Sequence, residues 1–490
     1  MIASNIQAIT EESKEHKVDD FGNPPTETKK STSFNLTDLG NMERFVRDHR
    51  GTIRFNRSNG KWLGYDGKRW NLDIGEDRAR CCYMITARNL YDNIQMTTGA
   101  ENKKELLRFA LYSESTKGMH AALSLVKSQP SISTGANEFD TDAFLLNCLN
   151  GTINLRSGEL RPHNSADLIT KLAPVMYDPK ATLQLWDDFL ETATDGDASL
   201  RDFLQIAAGY TATGDTSEER LFFIYGPTAS CKSTYLEAMK ITLGDYAKTS
   251  DFDTFIKRKQ VGGVRNDVAR LCGSRMVTTS EVDEKQELDE NLIKNCSGSD
   301  TVTVRFLFKE AFEFKPQFKL WLGANEVPKV RDADDGSMWR RLLRIPFNHT
   351  IPKEDRRATV KATLTNPNIA GPAILAWMVE GCLKWQQDGL EVPNIIEQST
   401  DDYRKSQDVL HGFFEDKCDF DNSAYVTVSK MRSAYEQWAK NIGLKYPLGP
   451  IAFNKKLRTK GCDDRNKRIP IGDGRLLPPE KCWHGVALKG

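Results

Sequence analysis

Residues 221–234 read LFFIYGPTASCKST, and this stretch limits the fold more than any other. Five apolar, β-favouring residues, Leu221 to Tyr225, run into a Gly-Pro turn, and the helix-type stretch YLEAMKITLG follows. Strand, turn and helix in that order suit a phosphate-binding loop. Its backbone N–H groups face the ligand at a helix N-terminus, where the dipole favours negative charge. In that reading Gly226, Pro227, Thr228, Ala229, Ser230, Cys231, Lys232, Ser233 and Thr234 cradle the phosphates of a nucleotide. Lys232 reaches the β- and γ-phosphates, and Ser233 places its hydroxyl on Mg²⁺. One position departs from G-x-x-x-x-G-K-[ST]: Cys231 stands where a second glycine is expected. A cysteine side chain is small, so close backbone approach is strained there rather than forbidden. The competing reading is a Gly-Pro turn before a good helix start, with Ser and Thr as favoured caps and no ligand.

Composition narrows the setting. A chain of 490 residues has room for two to four domains. Hydrophobic content of 39% and charged content of 28% are ordinary for a globular protein. The formal net charge is zero, so any attraction to nucleic acid must come from a local basic surface. The ten cysteines form no C-x-x-C pair and the seven histidines no H-x-x-x-H pattern, so no zinc site is expected. Scattered thiols fit a reducing compartment. No apolar run approaches the ~18 residues of a membrane span, and no signal-type segment opens the chain. A soluble, cytoplasmic protein is expected.

Along the chain, residues 1–33 are polar and charged and read as a disordered tail. Thr37 or Asp38 could cap a helix through NMERFVRDH. In residues 53–73, Arg54, Arg57, Lys61, Lys68 and Arg69 interleave with Phe55, Trp62, Tyr65 and Trp70. That pattern suits either a nucleic-acid stacking surface or a small sheet with aromatics inward, and the second reading is adopted. FLLNCLNGTINLRSGELRPH carries the Asn150-Gly151 hairpin signal.

After the loop, SRMVTTSE reads as a strand ending in Glu281, Asp283 and Glu284. A nucleotide hydrolase needs such a carboxylate to hold Mg²⁺ and polarise the attacking water, with Glu281 preferred and Asp283 the fallback. TVTVRFLFKEAFEFKP reads as a hairpin that could offer Arg305, Phe308 and Lys309 to a DNA strand. KLWLGANEVPKV ends a third apolar strand at Asn325, which could orient the lytic water or sense the γ-phosphate. Arg340 and Arg341 follow, suited to stabilising charge on a neighbour's phosphoryl group. Residues from 401 onward change character. Two amphipathic helices bring Phe413, Phe414, Tyr435 and Trp438 inward, and Lys455, Lys456 and Arg458 make a basic helix before a terminal hairpin. That shape suits a winged helix on DNA.

In this order the pieces resemble the helicase part of phage and plasmid primase-helicases, relatives of the poxvirus-type primase-helicase in superfamily 3 of the AAA+ ATPases. GPTASCKST resembles its Walker A, RMVTTSE its Walker B, and NLIKNCSGSDTVTVRFLFKEAFEFKPQFKL its B-prime motif. WLGANEVP resembles sensor 1 and DGSMWRRLLRIPF the arginine-finger segment. The similarity extends from residue 34 to the end.

The resemblance implies an α/β fold with a central AAA+ P-loop ATPase domain, an α+β domain before it and a helical, winged-helix domain after it. The expected domains are a tail at 1–33, the preceding domain at 34–190, the ATPase at 191–350, a helical connector at 351–400 and the DNA-binding domain at 401–490. It also implies an ATP-dependent DNA helicase for replication of a phage or other mobile element, working as a hexameric ring with ATP and Mg²⁺. Single-stranded or forked DNA would be its partner, and the bacterial host cytoplasm its location. With no room for a primase catalytic domain ahead of Phe34, priming would fall to a separate primase. The alternatives are an origin-binding or loader protein with little hydrolysis, or a small-molecule P-loop kinase. Cys231 is read as a tolerated variation whose exposed thiol alkylation would reach.

Overall fold

The computed structural model describes residues 34–135, 138–258, 265–280, 286–298, 300–307, 310–330, 335–408, 410–444, 447–468 and 478–489. Of the two expected caps, Thr37 is the one that starts α1 (Asp38–His49), its side chain accepting from Gly40 N. α2 (Asp77–Met96), α3 (Ala100–Ser113) and α4 (Thr116–Val126) complete a helical layer. Beside it lies a four-stranded sheet of β1 (Ile53–Asn56), β2 (Lys61–Tyr65), β3 (Trp70–Asp73) and β4 (Ser133–Thr134), in the order β3-β2-β1-β4. Trp62, Tyr65 and Trp70 are buried while Lys61 and Lys68 are exposed. The aromatics of residues 53–73 therefore build a core, which removes them as a stacking platform. A three-stranded antiparallel sheet follows, β5 (Leu145–Cys148), β6 (Gly151–Asn154) and β7 (Glu159–Arg161), turning at Asn150-Gly151.

α5 (Gln184–Ala193) and α6 (Ala198–Ala212) lead to the central sheet. Its strands are β8 (Leu221–Tyr225), β9 (Ala247–Thr249), β10 (Met276–Ser280), β13 (Lys319–Ala324) and β14 (Leu342–Pro346). They run in the order β14-β8-β13-β10-β9, and every pairing is parallel. A parallel sheet covered on both faces reads as continuous apolar runs, as β8 and β13 do. α7 (Lys232–Leu243) leaves β8 through the loop, and α8 (Glu290–Ser297) precedes a hairpin of β11 (Val302–Arg305) and β12 (Ala311–Phe314). α9 (Gly371–Asp388) crosses α6 with almost no separation: a Cβ on Gly209 would lie 2.0 Å from Cys382 N, and one on Gly381 2.0 Å from Gln205 O. One apolar core, from Leu146 in β5 to Ile396, joins these elements.

The leading ends of β10 and β13 hold two buried cations. Arg275 donates to Ala212 O at 2.8 Å and Leu145 O at 2.7 Å. Lys319 Nζ donates to Thr213 O at 2.6 Å and Asp215 O at 2.9 Å. Burial, and then the neighbouring Arg275, hold the Lys319 ammonium well below its ordinary pKa. Three of these acceptors, the carbonyls of Ala212, Thr213 and Asp215, lie at or just past the C-terminal end of α6, where the helix dipole favours positive charge.

The chain divides into two compact units, Met1–Pro328 with Arg340–Glu397, and Lys329–Trp339 with Gln398–Gly490. The second unit contains α10 (His411–Lys417), β15 (Cys418–Asp419), β16 (Tyr425–Thr427), α11 (Val428–Asn441), α12 (Pro450–Thr459), β17 (Asp463–Lys467), β18 (Glu480–His484) and β19 (Ala487–Leu488). Its main sheet runs β16-β18-β17. Phe413, Phe414, Tyr435 and Trp438 point into its core beside Phe453 and Trp483. Among the described residues no helix is long and apolar enough to cross a membrane.

Candidate active site

The loop between β8 and α7 is shaped by its backbone. A Cβ on Gly226 would lie 2.0 Å from Phe347 O, so only glycine lets the chain leave β8 beside the end of β14. The turn then passes through two left-handed residues, Ala229 at φ +63° and Cys231 at φ +70°. Cys231 thus adopts the backbone conformation that the missing glycine would reach freely, at a cost of about 1–2 kcal/mol. Its side chain is only 8% exposed and packs into the main core. Burial pushes the thiol up to about 11, with Lys232 pulling the other way. The expectation of an exposed, alkylatable thiol is therefore corrected: Cys231 is covered and protonated.

Lys232 opens α7 and is buried, its Nζ donating to Gly226 O at 2.7 Å, Pro227 O at 2.6 Å and Ser230 Oγ at 3.0 Å. Burial lowers its pKa. Ser233 is exposed and Thr234 half-buried in the same first turn. Asn325, next after β13, brings its Nδ2 3.5 Å from Thr228 Oγ1, so this residue and the loop face each other across the ends of neighbouring strands. A cavity of about 580 Å³ opens there, lined by Thr228, Lys232, Ser233, Thr278, Thr279, Gly323 and Asn325 among others. Its volume is that of an ordinary small-molecule site. The Thr279 hydroxyl in its wall is 1% exposed and has no hydrogen-bond partner among the described residues. A buried hydroxyl left so is short of a polar partner, which fits a ligand rich in oxygen.

Glu281 and Asp283 lie outside the described residues. Ser280, just before them, ends β10 in register with Gly323, which lines the cavity. Phe308 and Lys309 also lie outside, while Arg305 ends β11, exposed, opposite Ala311. Phe306 stacks on Phe312 beyond it, with ring centroids 5.4 Å apart.

Arg340 and Arg341 are not brought to this cavity. They precede β14, whose Leu342 pairs with Leu221 while Pro346 pairs with Tyr225. The arginines and the loop thus stand at opposite ends of a five-residue strand, about 16 Å of chain. Both reach Glu219 instead. The Arg340 side chain is 62% exposed and that of Arg341 9%.

On α12, Lys455 is exposed, whereas Lys456 lies 3.7 Å from Asp408 and Arg458 3.1 Å from Asp464. Asp464 also takes Lys481 at 2.6 Å, and hydrogen bonds from Lys481 and then Arg458 hold its carboxyl at about 2.

Sequence reasoning missed the hydroxyl wall, Glu219 and the buried cations. The one available signal was Thr278-Thr279, two polar residues inside a strand otherwise suited to Val or Ile.

A family model described as D5 N terminal like matches residues 42–195. A protein named "Putative helicase" from Acanthamoeba polyphaga mimivirus is 29% identical over 297 residues, 56% of this chain and 31% of that protein. One named "Putative primase" from African swine fever virus is 24% identical over 335 residues, 62% of this chain and 34% of that protein. The matched stretch therefore spans about a third of these relatives. Among solved structures, the apo C-terminal region of NrS-1 aligns with a TM-score of 0.52 at 12% identity, covering 89% of this chain and 96% of that one. At that identity the likeness is one of fold. The matched domain and these viral relatives, named helicase and primase, support a primase-helicase family member.

Proposed function

We propose that the chain is an ATP-hydrolysing helicase that moves on single-stranded or forked DNA during replication of a phage or other mobile element, as a hexameric ring. The observation that carries this is the cavity at the ends of the parallel strands, where Lys232, Thr228 and Asn325 meet behind a loop whose Cys231 takes glycine's conformation. Ligands of open α/β sheets bind past the carboxyl ends of the strands. The β11–β12 hairpin and the basic α12 favour an AAA+ helicase of superfamily 3 over a small-molecule kinase, which needs neither. The helices and three-stranded sheet of the second unit suit a winged helix.

Bound ATP with Mg²⁺ supplies the transferable phosphoryl group and neutralises its charge. Lys232 exchanges its loop oxygens for phosphate oxygens, and Ser233 holds the metal together with Glu281 or Asp283. Glu281 polarises the attacking water and Asn325 orients it. Arg340, exposed and remote from its own loop, serves the site of a neighbouring subunit. Arg341 is too buried for that task. Arg305 at the end of β11, with Phe308 and Lys309 a few residues on in sequence, and Lys455, Lys456 and Arg458 on α12, meet the DNA backbone.

Turnover of ATP with and without single-stranded DNA tests this reading. DNA should raise the rate, and Lys232→Ala should reduce it to background; equal rates in that variant would refute the ATPase. One observation favours a loader that binds nucleotide without hydrolysis, namely that Lys232 is already satisfied by three loop oxygens. DNA binding without turnover would select it, and DNA-independent turnover on a metabolite would select a kinase.

A further inference from the structure

The exposed arginine is not a loose side chain. Arg340 Nη2 lies 2.7 Å from Glu219 Oε2, and Arg341 Nη2 lies 2.9 Å from the same oxygen. The backbone is tied as well: Leu221 N donates to Arg341 O at 2.8 Å, and Arg220 Nη1 donates to Arg340 O. Glu219 itself sits at φ +52°, a left-handed conformation that a residue with a Cβ rarely adopts. The buried pair with Arg341 gives a structural reason for a glutamate here. The contact with Arg340, whose side chain is 62% exposed, adds little to stability, so stability alone does not explain why that arginine is held too. Strain of this kind persists where the surroundings fix it, and it collects where the direction of a side chain matters. A guanidinium has five N–H donors in a rigid fork. Resting one edge of Arg340 on Glu219, with the buried Arg341 holding the same carboxylate oxygen in place, fixes the aim of the outward donors.

We propose that Glu219 is a positioning residue, which presents Arg340 to the phosphoryl group bound on the adjoining subunit. This rests on the reading of Arg340 as a trans-acting finger. Glu219 lies just ahead of β8, and the phosphate loop begins at the other end of that strand. The anchor of the outgoing arginine and the loop that receives the neighbour's arginine therefore ride on one element.

The test measures DNA-stimulated ATP turnover by the full chain. Glu219→Gln keeps the shape and the backbone conformation and removes the charge. It should lower kcat roughly tenfold or more, as small misplacements of a catalytic group do, while KM for ATP stays within about twofold because the subunit's own loop is untouched. The double variant Glu219→Gln/Arg340→Ala should be no slower than Arg340→Ala alone. Adding Lys232→Ala subunits, whose arginines remain anchored, should restore turnover to Glu219→Gln subunits. An unchanged or raised kcat, a loss carried by KM, or additive losses in the double variant would overturn the proposal. Thermal melting checks the fold; should the Gln variant unfold early, Glu219→Asp, too short to hold both arginines, must show the same kcat-only loss. Failure of the underlying reading looks different: Arg340→Ala itself would then turn over normally, which removes the proposal along with the finger.

Discussion

A cysteine can stand where the β8–α7 loop calls for glycine only by accepting the backbone angles that a glycine takes freely, and Cys231 does so at φ +70°. What the motif demands at that position is a left-handed turn, and glycine is the residue that makes it without strain. Cys231→Gly should therefore bind nucleotide at least as tightly as the parent. Relief of about 1 kcal/mol of backbone strain would be largely offset by loss of the buried side chain, leaving the melting temperature within a few degrees. Cys231→Val should lose both stability and binding, because a β-branched residue tolerates positive φ poorly. Calorimetric titration with nucleotide and thermal melts of the two variants check this; tight binding by the valine variant would show that the loop does not require that turn. The spacing of residues reveals a missing glycine but not whether its replacement has taken the same φ, which is why Cys231 could not be settled from the sequence. The same blindness placed its thiol on the surface, since burial of a loop side chain depends on what packs over it.

At the scale of elements, the parts best read from sequence are those whose burial imposes a pattern. β8 and β13 are covered on both faces and appear as unbroken apolar runs, and the β11–β12 hairpin shows strict alternation. β9 escaped notice because it is a three-residue edge strand, Ala-Lys-Thr, with no apolar run to mark it. Arg275 and Lys319 escaped because a charged residue opening a strand normally marks a solvated end, whereas here carbonyls near the end of α6 receive both. Glu219 escaped because its partners lie far along the chain, in a segment brought alongside only by the β8–β14 pairing. The α6–α9 crossing is likewise visible only in three dimensions. Gly209→Ala would force a methyl group to within 2.0 Å of Cys382 N, a clash with backbone that no rotamer relieves. It should destabilise the first unit by about 3 kcal/mol or more, read as a lower melting temperature, while substitutions at exposed positions of α6 should do little. An unchanged melting temperature would mean that the two helices part without penalty.

At the scale of the molecule, the preceding domain and the central sheet share one core: Leu146, Ile153 and Val175 pack with Phe222, Trp321 and Ile374. The matched family domain therefore contributes part of the covering that the central sheet needs. The direction of the strands carries a further consequence. All five run the same way, so each chain carries its β8–α7 loop at the carboxyl ends of the strands and its outward arginine at the amino ends. If two chains complete every site, activity becomes a matter of protein concentration. Turnover per chain should fall on dilution below the assembly's dissociation constant, and below that point the total rate should rise more steeply than in proportion to protein. A dilution series at saturating ATP and DNA measures this reaction order. A strictly linear dependence down to dilutions at which the chains are single would show that one chain hydrolyses alone.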